Sequence, residues 1–543
     1  MDKKTILAIV LSFLVVLGYN YFFVKPQQDA RQQARQQSQE QAAPAAPEQG
    51  VKTADKPAPA EAPAAKQPKA EAKKQVPPRS ITIDSPLYTA VFNTQGAVLT
   101  SFKLKKYDRT LDANSGLVEM VDVQEGMQYP LVVTFPDSSL DVSPADIYES
   151  KTTSLSLDDV TGPKQMVLSW TGPAGVRVEK AFTFYPDKYQ IDLEVRVVNS
   201  SSNNLAQKAL LAWNEYRDPK AEDDSYGRTG PIYFSKKDVE TPEVKKLESR
   251  KFVGTDISWA GYESKYFIAA MIPKQPSVTG LVMGKNGDSM VTVALEGPKN
   301  TVPPGQTTAF NYDLYLGPKD YEVLKAVSVG LENSIDFGSW IKWLALPLLL
   351  VLKFLYKFVL NYGVAIIIIT IVIKIIFWPL GNKSYKSMKE MQKLQPLMNE
   401  LREKYKNDKA RLNQEVMQLY KTHKVNPMGG CLPMLIQIPV FFGLYKALLY
   451  SIELRHAPFL FWIQDLSAKD PYYITPIIMG ATMFWQQKMT PTVGDPMQAK
   501  LMLLMPVVFT FLFLNFPSGL VIYWLFNNIL SIGQQYYVNK TIA

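Results

Sequence analysis

The run VAIIIITIVIKIIFW, residues 364–378, is apolar at every position except Thr370 and Lys374, and it leads into a long basic segment, residues 383–424. As a helix it would span roughly 22 Å of a bilayer core about 30 Å thick, so it reads as a membrane span carrying a cation at depth. Such a charge costs roughly 2.5–3.5 kcal/mol on insertion scales and faces a protein interior or a wet cavity. A second reading stays open. Lys374 stands one turn before Trp378-Pro379, from where a flexible stem also reaches the cytoplasmic headgroups.

Further apolar runs occupy residues 431–450, 473–487, 501–516 and 520–537, and one more lies at residues 6–24. Together these predict six spans, five in a core and one N-terminal anchor. The segment 383–424 holds eleven Lys and Arg against five acids, which places it in the cytoplasm. Lys3 and Lys4 before the first run agree with that orientation. Tyr19, Tyr21, Phe22 and Phe23 stand where a small-x-small cleavage site would lie, favouring an uncleaved anchor (residues 1–25) over a removed signal peptide. Several runs are only 14 to 16 apolar residues long. Either they thin the bilayer locally, or each true helix extends a turn beyond its apolar run.

Residues 26–79 are Gln, Ala, Pro, Lys and Glu with few bulky apolar side chains, a composition that cannot offset ordering entropy. Ala58-Pro59 and Ala62-Pro63 stiffen this tether toward an extended form. From residue 80 to about 335 the period becomes two. Ile191, Leu193, Val195 and Val197 alternate with Asp192, Glu194, Arg196 and Val198, and residues 87–92, 98–104, 166–170 and 176–185 read similarly. An exported antiparallel β-sandwich is predicted, with residues 218–250 as a long surface loop. Residues 336–362 mix Trp340 and Trp343 with Lys342, Lys353 and Lys357, the pattern of an amphipathic helix on the outer interface. The membrane core follows, residues 363–543, with a cytoplasmic helical hairpin at 383–425 divided near Asn407-Asp408.

The net charge of +9 concentrates in that hairpin, which argues for membrane orientation and anionic partners. Lys386, Lys389, Lys393, Arg402, Lys404 and Arg411 either coat a solvated connector or form a docking face for an anionic assembly such as ribosomal RNA. Around Lys374, the polar residues Thr370, Gln437, Gln486, Gln487, Asn527 and Asn528 are candidates to line a groove open to the cytoplasm. Lys446 lies nearer the outer interface and is expected to snorkel. Met434, Pro439, Gly443, Met502, Met505 and Pro506 interrupt two spans, through ordinary packing or as a surface that tolerates varied partner helices.

Enzyme chemistry finds little support. Gly280-x-x-x-Gly284-Lys285 lacks the spacing and hydroxyl of a phosphate loop, and the two histidines, His423 and His456, lie outside the sandwich. No carboxylate spacing singles out a glycosidase pair. The one cysteine, Cys431, permits no intrachain disulfide. No cofactor and no metal are expected.

The stretches NPMGGCLPMLIQIP (426–439), DLSAKDPYYI (465–474), DPM (495–497) and FPSGL (516–520) resemble the membrane core of the YidC/Oxa/Alb insertase family. The anchor, tether and β-rich region, with residues 259–266 among the more recognisable stretches, resemble its Gram-negative branch. The resemblance implies an energy-independent insertase and chaperone in the inner membrane, with both termini cytoplasmic and a mutarotase-like sandwich in the periplasm. Implied partners are nascent membrane proteins, the Sec translocon, the ribosome and the lipid bilayer. Lys374 occupies the place of a basic groove residue that is Arg in many relatives; Lys keeps the charge and loses the bidentate fork. Thr370, Gln487 and Trp524 match groove-lining or substrate-contacting positions. The helices bearing Met434, Pro439, Phe441, Met505 and Pro506 match an apolar slide. Many relatives carry a longer basic tail than Lys540-Thr-Ile-Ala543, so ribosome docking is expected to rest on the hairpin. Two rival readings are a secondary transporter and a membrane-anchored periplasmic glycan-binding protein. The membrane region shows no internal repeat of the kind a transporter would carry.

Overall fold

The computed structural model describes residues 77–541 except 125, 159, 161, 173–174, 219–226, 237, 288, 424, 426–431 and 491–495. The expected anchor, nearly all of the tether, Cys431, and most of the first family motif's glycine-rich start lie outside the described residues, as does Asp495.

An eight-stranded antiparallel sheet forms the larger layer of the β domain. Its spatial order is Asp238–Glu240, Gly230–Ser235, Ile257–Glu263, Phe267–Pro273, Thr307–Pro318, Gln190–Asn199, Val176–Phe184, Lys164–Thr171. The alternation along Gln190–Asn199 does what its period demands: Ile191, Leu193, Val195 and Val197 are buried. On the other face Arg196 stands opposite Glu179 and pairs with Glu194 at 2.6 Å. Phe92, from a five-stranded sheet, meets Phe182 and Phe184 of the large sheet at ring distances of 4.8 and 5.8 Å, which joins the layers. Lys180 is fully buried between them, and its ammonium donates to the carbonyls of Gly96, Ala97 and Leu131 at 3.1, 2.9 and 2.8 Å.

The predicted surface loop at residues 218–250 is partly wrong. Gly230–Ser235 and Asp238–Glu240 form a hairpin on the edge of the large sheet, with Ile232 buried. The run Pro231-Ile-Tyr-Phe234 is apolar enough to pair, and an edge strand tolerates its proline.

Helix α1 (Tyr321–Ala326) is capped by Asp320, whose carboxylate accepts from the amides of Glu322 and Val323. Helix α2 (Lys342–Val359) buries Ala345, Leu349 and Leu352 and exposes Trp343, Phe354 and Phe358. Two of its three lysines depart from headgroup placement. Lys342 donates to Asn333 Oδ1 at 2.6 Å, and Lys353 pairs with Asp320 at 3.1 Å and Glu453 at 2.7 Å. Partly buried carboxylates at the seam with the sandwich hold Lys353 there, and a side-chain amide oxygen holds Lys342. Lys446 likewise pairs with Asp336 at 2.7 Å rather than reaching outward alone.

Asn361 caps helix α3 (Tyr362–Lys393) by accepting from Val364 N at 3.0 Å. This helix runs through Pro379 without ending. At ~48 Å it outreaches a bilayer core, so the first part of the basic segment continues the span. The chain turns at Leu394, where Pro396 opens α4 (Gln395–Lys404), and Asp408 caps α5 (Lys409–Thr422). Met391, Leu394, Leu419, Tyr420 and Val425 pack together, and Tyr420 Oη lies 3.0 Å from Met398 Sδ.

The remaining helices are α6 (Leu432–Tyr450), α7 (Ile474–Met489), α8 (Pro496–Phe513) and α9 (Ser518–Thr541). Leu352, Ile366, Leu444, Met479, Phe513 and Val521 belong to one buried cluster, so α2, α3, α6, α7, α8 and α9 share a core. Among the described residues, Tyr362–Lys393 is the one helix both long and apolar enough to cross a membrane by itself, and the apolar stretches Ile436–Tyr450 and Met502–Phe513 are shorter. Helices α3 and α9 extend beyond their apolar runs at both ends. Among the described residues α7, 16 residues or ~24 Å, is the shortest of the helices on these runs.

Candidate functional site

Lys374 lies twelve residues into α3, ~18 Å along the axis from Tyr362. Its side chain turns across to α9, where Nζ donates to Ser531 Oγ at 2.6 Å. Ser531 Oγ in turn donates to the carbonyl of Asn527 at 2.7 Å, and the Asn527 Oδ1 accepts from Gln437 Nε2 of α6 at 2.8 Å. The relay therefore links three helices through one cation. Among the described residues no carboxylate lies within ion-pair reach of Lys374.

Toward the Pro379 end of the α3 span the polar seam continues. Gln534 Nε2 bridges the Trp378 carbonyl at 3.0 Å and Asn382 Oδ1 at 2.9 Å, bracing α3 beside Pro379, and Gln535 Nε2 donates to Met489 O of α7 at 2.8 Å. A Cβ at Gly381 would collide with the Gln534 amide, so the absent side chain permits this approach. Gln487 Nε2, Asn528 Nδ2 and Gln535 Oε1 are buried without a hydrogen-bond partner among the described residues. Such groups are costly unless water or another molecule satisfies them, so the seam is chemically equipped to hold polar guests.

The structure separates the other expected groove residues. Thr370 is 1% exposed and spends its hydroxyl on Ile366 O at 2.6 Å, so it lines no open surface. Trp524 sits two turns from Ser531 in an aromatic cluster, 4.7 Å from Phe441 and 5.0 Å from Phe513. Phe441 therefore faces inward rather than onto a slide, and Pro506 is buried, while Pro439 and Met505 are half-buried. The Met434 side chain lies outside the described residues. On the same helices Ile436, Ile438, Leu504, Val508 and Phe511 are among the exposed apolar groups.

On the basic hairpin Lys386, Lys393, Lys404 and Arg411 are exposed and Arg402 is half-buried. Lys404 and Arg411 both lie over the Tyr405 ring, at 5.4 and 5.3 Å. Lys389 is a correction: its ammonium donates to Asn539 O at 3.0 Å, the carbonyl end of α9, where a helix dipole favours a cation.

Residue-by-residue reading missed Ser531, Gln534 and Gln535. Positions 527, 528, 531, 534 and 535 form one helical stripe, and that periodicity was the available signal.

Residues 354–543 match the model of the 60Kd inner membrane protein family, and residues 80–351 that of the YidC periplasmic domain. A relative from Syntrophus aciditrophicus (strain SB), called membrane protein insertase YidC, is 61% identical over 99% of this chain and 100% of its own length. A crystal structure described as an active YidC insertase with its first transmembrane domain resolved is similar with TM-score 0.38 at 19% identity, over 83% of this chain and 91% of that one. The β domain is similar, with TM-score 0.28 at 11% identity, to a putative aldose 1-epimerase from Escherichia coli K12, over 45% of this chain and all of that one. The two family models tile the sandwich and the helical core in the order described above, and the chain belongs to the YidC family of membrane protein insertases.

Proposed function

We propose that this chain inserts integral membrane proteins through the polar seam between α3 and α9. The observation that carries the reading is the Lys374 ammonium turned inward onto Ser531, beside amide groups without hydrogen-bond partners among the described residues. A substrate's polar flank, acidic ones above all, would take up those donors and acceptors part-way across the bilayer. Its apolar segment would then leave along the exposed side chains of α6 and α8 into lipid, at roughly 25 cal/mol per Å² of apolar surface removed from water. No nucleotide is required by this scheme.

The excess of cations at residues 383–424 supports a cytoplasmic hairpin and a periplasmic sandwich in the inner membrane. The exposed Lys386, Lys393, Lys404 and Arg411 suit contact with ribosomal RNA, and the exposed apolar side chains of α6 and α8 suit handover of a span to or from the Sec translocon. The test is reconstitution of the purified chain in liposomes with a small single-span protein and no other factor. Protease-protected insertion above that of empty liposomes is expected. Insertion no better than lipid alone contradicts the reading.

A further inference from the structure

Where the sandwich meets the outer ends of the helices, a cavity of about 320 Å³ is lined by Arg109 and Lys265 from the sandwich side and by Arg455, His456, Asp465 and Lys469 from the loop between α6 and α7. We propose that this cavity binds the phosphate headgroup of an anionic phospholipid of the outer leaflet, which then bridges the exported domain to the membrane core.

The charge balance favours an anion. Four permanent cations line the space against one carboxylate, and Asp465 already accepts from Ser467 N at 2.8 Å and Ser467 Oγ at 2.7 Å within its own loop. The cations are also held in place. Arg455 donates to the carbonyls of Asp108 and Arg109 at 2.6 and 2.9 Å, with its guanidinium 5.5 Å from the Phe267 ring centre. Lys469 lies over Tyr473 at 5.9 Å, and its backbone pairs with Pro517 before α9. Burial and the neighbouring Arg455 push the His456 imidazole below its ordinary pKa, so at neutral pH it contributes a hydrogen-bonding ring rather than a further charge.

Lipid, rather than a soluble anion, fits the surroundings. The loop closes on itself through Leu466 N to Ala457 O at 3.0 Å, and its tip carries Leu460 and Phe461, 50% and 83% exposed. Tyr472 is also largely exposed. Exposed apolar and aromatic side chains next to a cluster of cations is the arrangement of a membrane interface.

The test needs no substrate and so stands apart from the insertion reading. The full chain in neutral detergent is titrated with short-chain phosphatidylglycerol, with phosphatidylcholine of the same chains, and with inorganic phosphate, reading bound lipid by native mass spectrometry and the thermal midpoint. Phosphatidylglycerol is expected to bind and stabilise, and the other two to do neither. Arg109→Gln with Lys469→Gln, both exposed positions, should weaken phosphatidylglycerol binding roughly tenfold to thirtyfold, as two interfacial charges imply. Arg109→Lys with Lys469→Arg should preserve it. Should the Gln pair not fold, Lys469→Gln alone is expected to weaken binding severalfold. Wild-type affinity in a folded Gln variant, or equal stabilisation by inorganic phosphate, overturns the proposal.

Discussion

Lys374 Nζ and Ser531 Oγ are 2.6 Å apart, and the serine hydroxyl donates its hydrogen bond to Asn527 O. The hydroxyl can therefore only accept from the ammonium, and it satisfies one of three donors. If water reaches the seam, Ser531→Ala loses little, under ~1 kcal/mol of stability; in a sealed core a bond to a charged group is worth about 1.5–3 kcal/mol. Denaturation of the two proteins in the same detergent measures which holds. The hydrated case also predicts that Ser531→Cys, with Cys431→Ser, reacts with a small water-soluble maleimide.

Lys353 clips α2 to both Asp320 and Glu453, with all three side chains largely buried. Lys353→Met leaves two carboxylates facing each other without a cation. A loss of about 2–3 kcal/mol is expected, less than for a fully buried pair because some solvent remains. The thermal midpoint of the purified chain reports it, and Lys353→Arg should recover most of the loss.

Gly480 of α7 lets α8 approach so closely that an added Cβ would strike the Thr510 side chain. Gly480→Ala should cost about 1–3 kcal/mol through overpacking. Adding Thr510→Ala should return a large part of it, since the two sites share one contact. Additive losses in this double-mutant cycle would show that the helices pack otherwise.

Burial lowers the Lys180 pKa to about 7, from 10.5 in the unfolded chain. Between those values the unfolded state binds more protons, so this group adds stability as pH rises from about 7 toward 10.5 and takes it away as pH falls back. The full effect is ~1.4 kcal/mol per pH unit. Lys180→Met, which removes the titration and leaves three carbonyls without their donor, should be less stable than wild type by a margin that widens between pH 7 and 10. Urea unfolding followed by tryptophan fluorescence across that range supplies the comparison.

Much of the fold was legible because its signals are one-dimensional. The alternation through Ile191 to Val197 needs only the period of a strand with one wet face, and the spans need only apolar length. The edge hairpin at Gly230–Glu240 was hidden by the charges, Gly and Pro around Ile232. The Gln534 brace on the Trp378 carbonyl and Asn382, beside Pro379, was hidden because it is a tertiary contact. At the site, Lys374 announced itself as a charge among isoleucines. Its partner Ser531 did not, because a serine in a helix is unremarkable until α9 is set against α3. Thr370 and Trp524 share helices with the site but not its chemistry, a distinction of side-chain direction that spacing along a chain does not carry.

The most direct test of the account is insertion of a single-span substrate with an acidic translocated end into liposomes holding wild type, Lys374→Arg, Lys374→Gln or Lys374→Glu. The account predicts that Arg supports insertion, Gln lowers it severalfold, and Glu lowers it further, with a substrate lacking acids much less affected. Equal insertion of the acidic substrate by all four proteins would contradict it.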